Sequence, residues 1–230
     1  MIKAILMDFN GIVINDEPLQ MKSYQEILKA EGIDLTEEDY YSSLGMDDET
    51  FIETAYTRAG KKFLPENVAA VKDRKTEAWR KLVGTEIPLF EGVENFVRKM
   101  EKSFALGLVS MARREEIEYV LEQTDLLSCF SVIVSAEDVS NCKPDPQCYH
   151  KGFNLLDATR IQKGHNPMVH ADCLVIEDSP AGIVAGKQAG LKTWGITNTV
   201  SAEQLRVAGA DVVSKTFSEW MPDTMRRVFV

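Results

Sequence analysis

Cysteine, histidine and positive charge are all scarce in this chain, and each scarcity closes a class of function. The four cysteines, Cys129, Cys142, Cys148 and Cys173, form no CxxC pair. Cys142 and Cys148 lie close in sequence, but no second pair stands at metal-ligand spacing, so they read as buried or idle thiols. The three histidines, His150, His165 and His170, make no HExxH-like helical pair. Lysine and arginine total 26 against 36 acidic residues, a net charge of −10. A surface of that sign repels a phosphate backbone, which argues against nucleic acid as a partner. It also requires any phosphorylated ligand to find a local cationic site. No apolar run approaches the roughly 20 residues of a membrane span. No basic stretch followed by an apolar one opens the chain as a signal peptide would. The expectation is a soluble, cytoplasmic protein with no membrane partner.

What is present is enough apolar material for a packed core: 44% of 230 residues, which suits one domain or a domain carrying an insertion. The chain turns on Met7-Asp8-Phe9-Asn10-Gly11-Ile12-Val13. The preceding run, Ile2 to Met7, is short and mostly apolar, as a buried strand is. Asp8 then falls at the rim of a sheet, and Asn10-Gly11 forces a turn there. In open α/β sheets that rim is where ligands bind. From this stretch alone, Asp8 serves equally well as a plain turn cap.

From Asp16 to about Pro88 helical spacing dominates: Met21, Tyr24, Ile27 and Leu28, then Phe51, Ile52, Ala55 and Tyr56, then Val68, Val71, Ala78, Trp79 and Leu82. The spacing predicts a block of about four helices whose apolar stripes form a core. After Pro88, strands alternate with helices. Strands are predicted over 104–109, 132–134, 174–176, 193–196 and 212–213, and helices over 92–100, 114–124, 148–156, 180–189 and 203–207. That alternation predicts an α/β fold, a doubly wound parallel sheet. The predicted division is a core of residues 1–15 and 89–230 with a helical insert of 16–88.

Polar residues recur where strands end: Asp8, Ser110, Lys143 and the pair Glu177-Asp178. Three carboxylates gathered at one sheet edge repel one another, and Mg²⁺ suits such hard oxygen ligands. Lys143, pinned in Lys143-Pro144-Asp145-Pro146, supplies a point charge for a phosphoryl group. The Ser110 hydroxyl and the backbone N–H groups that follow it, starting with Met111, suit phosphate oxygens. For Glu177 and Asp178 the plain alternative is a solvated helix start.

Four motifs in order carry a resemblance: Asp8-Phe9-Asn10-Gly11-Ile12-Val13, Val109-Ser110-Met111-Ala112, Lys143-Pro144-Asp145-Pro146 and Ile176-Glu177-Asp178-Ser179-Pro180-Ala181-Gly182. Over nearly its whole length the chain resembles the haloacid dehalogenase superfamily, in the β-phosphoglucomutase-like subfamily with a helical cap. The resemblance implies a Rossmann-like core and a phosphatase acting on a small phosphorylated metabolite, a sugar or polyol phosphate. Asp8 would be the nucleophile and would form an aspartyl-phosphate. Mg²⁺ would be held by Asp8, the backbone carbonyl of Asn10 and Asp178, with Glu177 at the same site. Ser110, Met111 and Lys143 would hold the phosphoryl group. The helical block would act as a lid over the site. A monomer or weak dimer is expected.

Two departures qualify the resemblance. Its phosphatases and mutases carry a general acid and base, an Asp, where this chain has Asn10. An amide neither gives nor takes a proton at useful pKa. Three explanations compete: a slow phosphatase with another proton donor, a noncatalytic binder of a phosphometabolite, or a deliberate substitution. Asn10-Gly11 is also a deamidation-prone pair, which would place Asp at position 10 in some molecules. The second departure is Gly45-Met46-Asp47-Asp48, where the mutases carry a Gly-x-x-Arg that grips a second phosphate. An acid there argues against a phosphomutase and against bisphosphates. Asp47 and Asp48 then either bind sugar hydroxyls or simply start a helix.

Overall fold

The structure is a computed structural model that describes residues 1–43, 46–64 and 68–229. Six parallel strands form one sheet in the order β3-β2-β1-β4-β5-β6. They are β1 (Ala4–Met7), β2 (Ala105–Val109), β3 (Val132–Val134), β4 (Cys173–Glu177), β5 (Lys192–Ile196) and β6 (Val212–Ser214). Every residue of β1 and β4 is buried, as the centre of a sheet covered on both faces requires. The doubly wound α/β fold expected from the alternation is the fold observed.

The strand order reverses direction beside β1. β2 and β3 lie on one side of it, and β4, β5 and β6 on the other. Met7 pairs with Ile176 and with Leu108. The residues that follow, Asp8, Glu177 and Ser110, therefore emerge at nearly one level along the carboxyl edge of the sheet, at the switch point of the topology.

The chain separates into two compact units, residues 1–15 with 89–230 and residues 16–88. In the first, the connecting helices are α5 (Val93–Met100), α6 (Arg114–Gln123), α7 (Gln147–Gln162), α8 (Pro180–Gln188) and α9 (Ala202–Val207), and α10 (Pro222–Val228) closes the chain. α7 runs six residues past the predicted end, because nothing in it after Leu156 is buried and the apolar signal stops early. The short α10 escaped sequence reading for a similar reason: Met225 is its one buried residue.

The second unit holds α1 (Glu17–Ala30), α2 (Glu37–Tyr41), α3 (Asp48–Arg58) and α4 (Val68–Val83). Their stripes meet in a core of Met21, Tyr24, Ile27, Leu28, Phe51 and Ile52 with neighbours on α2 and α4. Thr36 caps α2 and Asp47 caps α3, accepting the Thr50 N–H at 2.7 Å. Asp48 has a different fate: it is buried, with Lys75 Nζ 3.4 Å away and the Tyr24 hydroxyl donating to it. Gly45 lies outside the described residues. No helix among the described residues is long and apolar enough to cross a membrane.

Candidate active site

Asp8 follows β1 directly, and its backbone N–H donates to Ile176 O at 3.0 Å, one step beyond the paired strand. The chain then folds into a tight turn in which Val13 N–H donates to Phe9 O at 2.7 Å and Gly11 N–H to Ile14 O at 3.0 Å. Gly11 has φ +76°, and a Cβ there would stand 1.8 Å from Asp178 Oδ2. No side chain fits, so the turn packs its backbone directly against the Asp178 carboxylate.

On β4, Glu177 is fully buried and its two oxygens accept from five donors. Lys143 Nζ (2.7 Å) and Tyr149 Oη (2.8 Å) reach Oε1. The Asp178 and Ser179 N–H groups (3.1 and 3.2 Å) and Ser179 Oγ (2.9 Å) reach Oε2. Ser179 also caps α8, accepting Gly182 N–H at 3.1 Å. Gly182 belongs here because a Cβ would lie 1.8 Å from the Glu177 carboxyl carbon.

Lys143 joins the two strand ends. Its Nζ lies 2.9 Å from Asp8 Oδ1 as well as on Glu177, donates to Val109 O at 3.4 Å, and stands over the Tyr149 ring. Ser110 follows β2, donates its N–H to Val134 O, and accepts Ala112 N–H at 3.0 Å on its hydroxyl. That hydroxyl stands 3.5 Å from Asn10 Oδ1. Met111 is half-buried against the core beneath. Asp8, Asn10, Ser110, Lys143, Glu177 and Asp178 are thus brought to one place within the first unit. Of the two arginines that follow Ser110, Arg114 donates to Ile133 O and pairs with Asp138, and Arg113 pairs with Glu115. Gln20 donates to Asp16 in the helical unit.

The electrostatics follow from burial. Desolvation, and then the Glu177 charge, push the Asp8 carboxyl up to about 7 against the pull of Lys143. Burial pushes Glu177 the same way, but Lys143, Tyr149 and Ser179 more than offset it and hold Glu177 below the usual carboxylate range. Burial disfavours the Lys143 ammonium, and Asp8 and Glu177 outweigh that and raise it. Asp8, Glu177 and Asp178 offer oxygens all within 4.8 Å of one another. Lys143 brings one positive charge to these three carboxylates, and a divalent cation would balance the remainder. All the donors are hard oxygens, which fits Mg²⁺. Because both Glu177 oxygens are engaged by donors, Asp8 and Asp178 are the carboxylates better placed to ligate it.

Sequence reading missed Tyr149, Asn198 and Thr199. Thr199 Oγ1 donates to Asp178 Oδ2, and Asn198 Nδ2 donates to Gly11 O at 2.7 Å. Both follow β5, so the strand-end rule that singled out Asp8, Ser110 and Glu177 would have reached them. Tyr149, six residues after Lys143, reads as core because it is apolar in spacing. Tyr149→Phe removes one donor from a buried carboxylate and is expected to lower stability by about 1–3 kcal/mol, read as a shift in the urea unfolding midpoint.

A family model described as haloacid dehalogenase-like hydrolase matches residues 5–196. Validoxylamine A 7'-phosphate phosphatase of Streptomyces hygroscopicus subsp. limoneus is 26% identical over 228 residues, covering 95% of this chain and 96% of its own. Hexitol phosphatase B of Escherichia coli (strain K12) is 27% identical over 223 residues, covering 95% and 94%. The crystal structure of β-phosphoglucomutase from Clostridium difficile has the same fold, with a TM-score of 0.83 at 19% identity, covering 100% of this chain and 97% of that one.

Proposed function

The chain belongs to the haloacid dehalogenase-like hydrolases, and on that premise we propose that it hydrolyses the phosphate monoester of a small sugar or polyol, with Mg²⁺, through Asp8. The observation that carries this reading is the placement of Lys143 Nζ on both Asp8 Oδ1 and Glu177 Oε1, beside Asp178. A nucleophilic carboxylate, a buried cation and a second carboxylate for a metal are the parts phosphoryl transfer needs. The names of the two relatives, a validoxylamine A 7'-phosphate phosphatase and a hexitol phosphatase, support the substrate class.

In this reading an Asp8 oxygen attacks phosphorus and the ester P–O bond breaks. The leaving oxygen takes a proton from solvent water, and a second water then cleaves the aspartyl-phosphate, releasing phosphate and regenerating the Asp8 carboxylate. Lys143 and the Ser110 hydroxyl offset and orient the phosphoryl oxygens. Mg²⁺, held by Asp8, Asp178 and the Asn10 carbonyl, would supply further positive charge to the phosphoryl group. Glu177 holds Lys143 in place. Asn10 cannot deliver the proton to the leaving oxygen, so turnover is slow.

That same residue favours a second reading, a binder of phosphorylated metabolites with negligible turnover. Phosphate release from an aryl phosphate, hexitol and hexose monophosphates and a hexose bisphosphate decides between them. The expected result is slow release from the monophosphates with Mg²⁺ and none with EDTA. Retained monophosphate binding with no release above background on any substrate would establish the binder. Faster turnover or interconversion of the bisphosphate would favour the phosphomutase reading instead.

A further inference from the structure

The loop that follows β5 makes two contacts with the site. The segment Thr197-Asn198-Thr199-Val200-Ser201 is fastened at both ends. Thr197 N–H donates to Ser214 O at 3.0 Å, and Ser201 caps α9 in a reciprocal pair of bonds with Gln204. Between these anchors Asn198 donates to Gly11 O at 2.7 Å and Thr199 to Asp178 Oδ2. The two donors act on two different elements: the turn after Asp8, and the carboxylate after β4. Those elements also touch directly, since the Gly11 backbone leaves no room for a Cβ beside Asp178.

We propose that Asn198 and Thr199 are positioning residues for the divalent cation, a deduction that rests on the metal reading given above. A carboxylate rotates about its last side-chain bond, and a fixed hydroxyl on one oxygen selects its plane. Thr199 fixes the Asp178 carboxylate in this way. Asn198 ties down the turn between Asp8 and Ile14, so that the Asn10 carbonyl and the Asp8 carboxylate keep their spacing from Asp178. Hydrogen-bond partners standing behind metal ligands are typically worth about 10–100-fold in affinity.

The test is Mn²⁺ binding to the whole chain, followed by the paramagnetic signal of free Mn²⁺, with the Mg²⁺ dependence of phosphate release measured beside it. Thr199→Val is expected to weaken Mn²⁺ binding about tenfold or more, and Asn198→Ala to weaken it in the same direction. The rate at saturating Mg²⁺ should change far less than the Mg²⁺ concentration needed for half-activity. Thr199→Ser keeps the hydroxyl and should restore affinity to within about twofold, which a purely structural loss would not do. Thr199→Val or Asn198→Ala binding Mn²⁺ as tightly as the unaltered chain overturns the proposal and leaves the metal reading intact. So does Thr199→Ser binding as weakly as a Thr199→Ala variant, a comparison that also holds if the valine variant does not fold. An unaltered chain that takes up no Mn²⁺ overturns the metal reading, and this deduction with it.

Discussion

Asn10→Asp is expected to raise the rate of phosphate release by about 10²–10⁴-fold, the usual worth of a placed general acid and base. Asn10 lies two residues after Asp8 in a turn that the Phe9–Val13 and Gly11–Ile14 backbone bonds hold. Its side chain is half-buried, with its oxygen 3.5 Å from the Ser110 hydroxyl. Asp has nearly the shape of Asn, so the turn should keep its form, and the change is one of chemistry. A carboxyl at this place can give the leaving oxygen its proton and then draw a proton from the attacking water; an amide does neither. The variant also adds a negative charge beside a carboxyl that burial and Glu177 already push up to about 7. Its gain should therefore be seen fully only at saturating Mg²⁺, with a steeper metal dependence than the unaltered chain shows. Steady-state release from a hexitol monophosphate, at several Mg²⁺ concentrations, measures both effects. A variant no faster than the unaltered chain would mean that the rest of the site is not competent, and the binder reading would stand. In aged samples, a rise in activity that tracks conversion of Asn10 to Asp by peptide mass would report the same chemistry.

The sheet was legible because its central strands are buried on both faces. Ala4–Met7 and Cys173–Glu177 are continuous buried runs between turn residues, and such runs have few other uses. The site was legible in part because parallel strands deliver their ends to one edge, so polar residues at those ends converge. The strand-end rule covers Asn198 and Thr199 as well, but it does not name their partners, which are set by contacts between residues far apart in sequence. Asn198 and Gly11 are separated by 187 residues, and Thr199 and Asp178 by 21; no periodicity reports such a bond. Asp47 and Asp48 show the same limit at short range. Each suits a helix start, but Asp47 caps α3 while Asp48 turns inward to Lys75 and Tyr24. The deciding partner lies on another helix, 27 residues further on. Glu177 reads in sequence as an acid at a strand end, and the five donors that gather on it, Lys143 and Tyr149 among them, are visible only in the fold.

Lys143→Met should cost most in stability, about 3–5 kcal/mol, and lower phosphate release by about 10²–10³-fold or more. Methionine matches most of the length of the aliphatic stem, so what is lost is the charge, with its place over the Tyr149 ring. Asp8 and Glu177 are 8% and 0% exposed, and Lys143 touches both, at 2.9 and 2.7 Å. Without it, two carboxylates are buried together with no cation between them. Lys143 helps hold Glu177 below the usual carboxylate range. A carboxyl lowered on folding contributes stability above its unfolded value, and loses that contribution as pH falls through its folded value. Removing Lys143 deletes this contribution and raises both carboxyls. The variant should therefore be weakest against the unaltered chain near pH 8, and the gap should narrow toward pH 4.5 as the paired acids take up protons. Millimolar Mg²⁺ should also narrow the gap at pH 8, because a cation that binds only the folded form stabilises it and replaces part of the missing charge. Urea unfolding at the two pH values, with and without Mg²⁺, measures all of this. A gap of the same size at both pH values would mean that the loss of charge between Asp8 and Glu177 is not its cause.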